Sequence, residues 1–278
     1  MNSICFNGQF LPADQPIFTV DNRGFRFGDG IFESMKVINE EISLESFHME
    51  RLFTSLNILK IVAPSTFNVE NIRKDILQLC KENNCSRLAK VRLSVSRIDA
   101  GAGPANGNFQ YLVECWPLED STNQLNETGL SIDIFNEGRK FADFYSPLKT
   151  PSFLLYVAAT DFVKEKKLDD CLLLNQFDHL AESTMANLFI IKDKTIYTPG
   201  IKEGCINGVM RRYLLHSFKQ SSYNFSETAI TINDLENADE VFLTNAVRGI
   251  RWVKNFRQKE FGNNQTQEIY KQFIQTLF

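Results

Sequence analysis

Apolar and polar residues change their spacing several times along this chain, and each change marks an element. Ile4-Cys5-Phe6, then Asn7-Gly8, then Gln9-Phe10-Leu11 is an apolar run, a type I′ turn pair and a second run, which predicts a hairpin. Ile31 to Ile38 follows a Gly-Asp-Gly turn and reads as a strand, which Asn39-Glu40-Glu41 turns into Ile42-Ser43-Leu44. Met49, Leu52, Phe53, Leu56 and Leu59 then recur at helical spacing, as do Val69, Ile72, Ile76, Leu79 and Cys80 after Pro64-Ser65. Alternation returns at Leu88 to Arg97 and at Phe109 to Trp116, with a Gly-rich loop from Ala100 to Gly107 between them.

Both periods fade in Leu118-Glu119-Asp120-Ser121-Thr122-Asn123, a run of turn formers. The expected organisation is therefore an N-terminal α+β domain over 1–117, a linker over 118–124 and a second domain over 125–278. The second domain reads as a strand at Leu130 to Phe135, a helix through Leu155, Ala158, Ala159 and Phe162, and strands at Cys171 to Leu174, Asn187 to Ile191 and Val241 to Leu243. Helices at about 207 to 219 and 265 to 277 complete it, and the fold class is α+β.

Composition narrows the function classes. With 43% hydrophobic residues and 24 Phe among 278, the chain can bury a sizeable core. A net charge of −4 gives nucleic acid or anionic lipid no basic field to follow, so neither partner is expected. No stretch approaches the ~20 apolar residues that cross a bilayer, and the opening MNSICFNGQFLPADQ has neither a basic leader nor an apolar signal core; a cytoplasmic protein is expected. The six cysteines lack paired C-x-x-C spacing, which favours buried free thiols and no metal site.

Several residues could carry chemistry. Lys149, in Tyr145-Ser146-Pro147-Leu148-Lys149-Thr150-Pro151, sits on a backbone stiffened by two prolines among mostly uncharged neighbours. That suits an amine attacking a carbonyl, and equally a surface lysine whose stem covers apolar side chains. Glu182 lies between two strand-like runs, where a carboxylate can hold a ring nitrogen protonated or simply serve a turn. Gly204-Cys205-Ile206-Asn207-Gly208 precedes a helix with Asn207 as its expected N-cap, and its backbone N–H groups suit a phosphate. Thr244-Asn245 offers donors after the Val241–Leu243 strand, and Arg51 flanks the first helix's apolar stripe, where it could face a phosphate or solvent.

Seven ordered blocks run through the chain: Phe6-Asn7-Gly8, RGFRFGDGIFES at 23 to 34, FHMERL at 47 to 52, PLKT at 147 to 150, AESTMANLF at 181 to 189, GCINGVMRR at 204 to 212 and VFLTNAVRGI at 241 to 250. In these blocks the sequence resembles the class IV pyridoxal-phosphate enzymes, which include branched-chain and D-amino-acid aminotransferases and aminodeoxychorismate lyase. The resemblance implies the two-domain fold type IV, with a smaller N-terminal α/β sandwich and a larger C-terminal pseudo-barrel, and a homodimer. It implies pyridoxal 5'-phosphate (PLP) as cofactor, Lys149 as its Schiff-base lysine and Glu182 as partner of its ring nitrogen. Arg51, Ile206, Asn207, Thr244 and Asn245 are implied as its phosphate cradle.

Departures bear on the substrate. Phe32 stands where D-amino-acid aminotransferases carry a carboxylate-binding Tyr, and Leu154 stands five residues beyond the lysine where branched-chain enzymes show Tyr, with Tyr156 two further on. Phe32, Arg26 and Arg97 are the substrate candidates, with Lys90 and Arg92 as further cations. The expected function is amino transfer between small amino acids and 2-keto acids, with aminodeoxychorismate lyase, releasing pyruvate and 4-aminobenzoate, as the alternative.

Overall fold

The computed structural model describes residues 1–98 and 109–278; the Gly-rich loop expected over 100–107 lies outside them. The chain divides into two compact units. The first comprises Met1–Ser121 with Lys149–Ser152, and the second Thr122–Leu148 with Phe153–Phe278.

The first unit contains β1 (Ser3–Phe6), β2 (Gln9–Pro12), α1 (Arg23–Phe27), β3 (Gly30–Ile38), β4 (Glu41–Ile42), α2 (Glu45–Ile58), α3 (Val69–Glu82), β5 (Leu88–Arg97) and β6 (Phe109–Pro117). Its antiparallel sheet has the order β2-β1-β6-β5-β3-β4. Asn7 and Gly8 both take positive φ, 50° and 81°, as a type I′ hairpin requires. The β3–β4 turn does the same without glycine, at Asn39 and Glu40. Alternation along β3 decides what faces the helices. Ile31, Met35 and Val37 enter a core with Met49, Leu52, Ile72, Ile76 and Leu79, and Glu33 meets α2; Phe32, one residue off, lies on the opposite face. Asn68 caps α3 by accepting the Asn71 N–H at 3.0 Å.

The second unit contains β7 (Leu130–Lys140), α4 (Leu154–Lys166), β8 (Asp170–Asn175), β9 (Leu180–Ser183), β10 (Asn187–Lys192), β11 (Thr195–Pro199), α5 (Val209–Lys219), β12 (Phe225–Thr228), α6 (Ile232–Glu236), β13 (Glu240–Asn245), β14 (Gly249–Phe256), β15 (Lys259–Glu260) and α7 (Asn264–Ile269), followed by a π-type turn at Tyr270–Ile274. The strands form one curled mixed sheet of order β12-β11-β10-β13-β14-β7-β8-β9, with β15 on β14. β7 and β8 are parallel, and α4 is the crossover between them; it covers Phe135, Cys171 and Leu173 with Tyr156 and Ala159.

Two elements differ from the sequence expectation in ways that matter below. β7 continues five residues past Phe135 through an irregularity and brings Lys140 beside Asn175. The helix expected from 207 starts at Val209, and its N-cap is Gly208 and not Asn207.

Candidate active site

In the first unit, the register of β3 and α2 buries a charged cluster. Glu33 accepts from Arg51 Nε at 2.7 Å and Nη2 at 2.5 Å, a bidentate fork, and its Oε2 meets His48 Nδ1 at 2.7 Å. All three side chains are buried. Burial alone would raise the Glu33 carboxyl, but the Arg51 guanidinium and the bonds from His48 and Arg51 outweigh it and hold it at about 2. His48 is pushed the other way by burial, below the usual imidazole range, so its neutral ring donates from Nδ1 while the buried Nε2 has no partner.

On the opposite face of β3, the Phe32 ring stacks against two cations. Arg92 Cζ lies 3.7 Å from its centroid and Lys149 Nζ 4.4 Å. The Phe32 N–H donates to the Lys149 carbonyl at 2.8 Å, so the lysine backbone is fixed to the strand and its side chain is half-buried. Burial lowers the Arg92 guanidinium against the opposing pull of Glu114. The other substrate candidates lie elsewhere. Arg26 is exposed on α1 and donates to the Val20 carbonyl at 2.8 Å; Arg97 is committed to Asp29 at 2.5 Å and to the Leu59 carbonyl. Lys90 lies 5.5 Å from the Trp116 ring centroid.

In the second unit the centre is Glu182, buried on β9 opposite Leu173 of β8. Its Oε1 accepts from the Lys140 ammonium and from Tyr156 Oη at 2.5 Å; its Oε2 accepts the Ile206 N–H at 2.9 Å and Asn187 Nδ2 at 3.4 Å. Lys140 also donates to Tyr156 Oη at 2.5 Å, and burial followed by the Glu182 charge raises the Tyr156 phenol far above its ordinary value. The carboxylate thus meets one ammonium and three N–H or O–H donors in a dry setting. Asn187 Nδ2 also donates to the Ile206 carbonyl at 2.9 Å. A Cβ on Gly208 would stand 1.9 Å from Asn187 Oδ1, so this close approach demands glycine.

The expected phosphate residues fare differently. Thr244, opposite Asn187 in the β10–β13 ladder, has a buried hydroxyl with no partner. Asn245 is occupied by its own turn: its Oδ1 accepts from the N–H groups of Val247 at 3.1 Å and Arg248 at 2.8 Å. The Ile206 N–H serves Glu182 and the Asn207 N–H donates to the Pro147 carbonyl at 3.0 Å, so neither points at an anion. The N–H groups lacking an intrahelical acceptor are those of the first turn of α5, Val209 to Arg211, and α5 packs on β13, which carries Thr244.

Sequence reasoning missed Lys140, Val209 and Met210. Lys140 carried no signal because the strand pattern ends at Phe135. Val209 and Met210 were reachable, since Gly208 is an acceptable N-cap and would have moved the helix start two residues on.

An aminodeoxychorismate lyase of Vibrio harveyi is 27% identical to this chain, over 86% of this chain and 87% of the relative. A D-alanine aminotransferase of Bacillus licheniformis is 23% identical over 94% of this chain and 90% of the relative. In structure, a hypothetical aminotransferase of Mycobacterium tuberculosis in its PLP-bound form has a TM-score of 0.83 at 16% identity, covering 99% of this chain and 98% of that one, and shares the type IV fold. Residues 30–256 match the family described as amino-transferase class IV, from the first residue of β3 to the last of β14, and the chain belongs to that family of enzymes.

Proposed function

We propose that this protein is a pyridoxal-phosphate-dependent aminotransferase that moves amino groups between small amino acids and 2-keto acids. The class IV family depends on pyridoxal 5'-phosphate, and the Mycobacterium tuberculosis relative was solved with PLP bound. When bound, that cofactor supplies an aldehyde that condenses with primary amines and a ring that accepts electrons from a substrate's α-carbon.

The residues present fit it. Thr244 offers a buried hydroxyl with no partner among the described residues, and the first turn of α5 adds the Val209 and Met210 N–H groups, which we assign to the phosphate in place of Ile206 and Asn207. Glu182 Oε2 has one good donor and one at 3.4 Å, so it retains capacity for a ring N–H. In the first unit, the Glu33 and His48 pair holds the Arg51 fork rigid as a phosphate partner.

The observation that carries the reading is the placement of Lys149. Its carbonyl is anchored to β3 and its ammonium lies over Phe32, so the side chain is positioned rather than free to wander in solvent. Lys149 would hold the cofactor through its aldehyde, and as a free amine it would carry a proton at the substrate's α-carbon. Arg92, across the same ring, grips a substrate carboxylate.

The test is an amino-exchange assay with a panel of amino donors. Keto acid formed only when a keto-acid acceptor is present supports transfer; pyruvate and 4-aminobenzoate released from aminodeoxychorismate with no acceptor supports the lyase reading, which the Vibrio harveyi relative favours. We also propose a homodimer: Phe141, Phe144, Tyr145, Leu154, Phe177 and Met185 of the second unit are exposed, and a second copy would cover them. Light scattering of the purified chain tests this. Among the described residues no helix is long and apolar enough to cross a membrane.

A further inference from the structure

The six cysteines, scattered in sequence, are not scattered in space. Cys80 stands in the last turn of α3. The chain leaves that helix through Asn84 in a left-handed conformation at φ 55°, and the Cys85 N–H bonds back to the Cys80 carbonyl at 2.9 Å, which folds Cys85 over the helix end. β6 brings Cys115 to the same point from its inward face. The three Sγ atoms lie within 4.8 Å of one another, with Cys85 and Cys115 at 3.6 Å, and all three residues are buried.

We propose that Cys80, Cys85 and Cys115 form a binding site for a thiophilic d10 metal cation of the zinc type. Sulfur ligands about 2.3 Å from an ion stand about 3.8 Å apart in a tetrahedral site and about 4.0 Å apart in a trigonal one, so Cys85 and Cys115 already lie close to that spacing and the other pairs need close by no more than about 1 Å. Three soft donors with no fourth His, Cys, Asp or Glu beside them, among the described residues, select a thiophilic ion over a hard one. The surroundings suit a cation: the Leu79 carbonyl, at the negative end of α3, lies 3.7 Å from Cys115 Sγ. Asn83 Nδ2 donates to Cys115 Sγ at 3.3 Å and orients it, while Asn83 Oδ1 accepts the Asn2 and Ser3 N–H groups at 2.6 and 3.0 Å, which brings the chain's start to the cluster.

A divalent ion binds as M²⁺ + 3 RSH → M(SR)₃⁻ + 3 H⁺; a monovalent one leaves a charge of −2 in the core, so the divalent ion is favoured. Such an ion would tie the end of α3 to β6, remote in sequence from every residue assigned above to the cofactor.

The experiment uses the full-length reduced protein after chelator treatment, titrated with Zn²⁺ in one arm and with Cu⁺ held as a weak complex in another. Bound ion, protection of thiols from alkylation and the thermal midpoint are read together. The expected result is one ion per chain, protection of Cys80, Cys85 and Cys115, and a raised midpoint. Cys115→Ala should weaken binding by more than about ten-fold, while Cys171→Ala leaves it unchanged. Tighter Zn²⁺ than Cu⁺ binding supports the divalent assignment, and the reverse order overturns it. No ion in either arm, equal binding by Cys115→Ala, or a disulfide within the trio with no ion bound overturns the site itself. The wild-type titration stands on its own should an alanine variant fail to fold.

Discussion

Replacing Glu33 with Gln removes a charge and keeps the side chain's size, which makes the buried Glu33–Arg51–His48 cluster the place where electrostatics can be read most cleanly. The gap between about 2 for the folded carboxyl and 4.5 for an ordinary one corresponds to about 3 kcal/mol of stability at pH 7. That is in line with the ~3–5 kcal/mol seen when one partner of a buried pair is removed. Because the folded value lies below the unfolded one, the contribution is fully present above pH 4.5 and is lost as the pH falls toward 2. At pH 3 about 1 kcal/mol should remain. Urea unfolding of Glu33→Gln beside the parent chain, at pH 7 and pH 3, measures the difference. The chain has two Trp, and Trp252→Phe in both proteins leaves Trp116 of β6 to report on the first unit. A difference that stays the same at both pH values, or that is under about 1 kcal/mol at pH 7, would refute an ionised Glu33 held by Arg51.

Three further outcomes are expected. Lys140→Met strands the buried Glu182 charge and should cost about 3–5 kcal/mol of stability, whereas Lys140→Met with Glu182→Leu should cost much less; equal losses in chemical denaturation would contradict the pairing. Thr244→Val removes a hydroxyl that has no partner among the described residues, so the thermal midpoint of the cofactor-free protein should hold or rise while pyridoxal-phosphate affinity, followed by fluorescence quenching, falls about ten-fold. Gly208→Ala forces a Cβ onto Asn187 Oδ1 and should destabilise by about 1–3 kcal/mol, and shortening the neighbour with Asn187→Ser in that background should recover part of the loss.

The elements that could be read from the sequence are those whose periods are clean. The Asn7-Gly8 hairpin follows from its turn pair and β3 from an apolar run after the Gly-Asp-Gly turn, while α2, α3 and α4 follow from helical spacing because one face of each is buried and the other is not. β14 was missed because Arg251, Lys254 and Asn255 interrupt its apolar run; the sheet around it, and not its own pattern, makes it a strand. Lys140 reaches Glu182 only through an irregular extension of β7, which no spacing rule anticipates. The three cysteines meet through a helix end, a left-handed turn and a strand that are 35 residues apart from first to last, as 115 − 80 gives, so no local motif marks them. In the site, residue types alone supplied an amine, a carboxylate and anion-binding donors, each with an ordinary structural alternative; the family blocks suggested the roles, and the hydrogen bonds of the Ile206 and Asn207 N–H groups are the reason the first turn of α5 is proposed in their place.

The central claim is that Lys149 is the amine that takes the cofactor. Protein loaded with pyridoxal 5'-phosphate, reduced with borohydride and digested, should yield one phosphopyridoxyl-modified peptide, with the label on Lys149, and Lys149→Ala should yield none. A label on Lys140 or Lys36 instead, or an equal yield of labelled peptide from Lys149→Ala, would contradict the account.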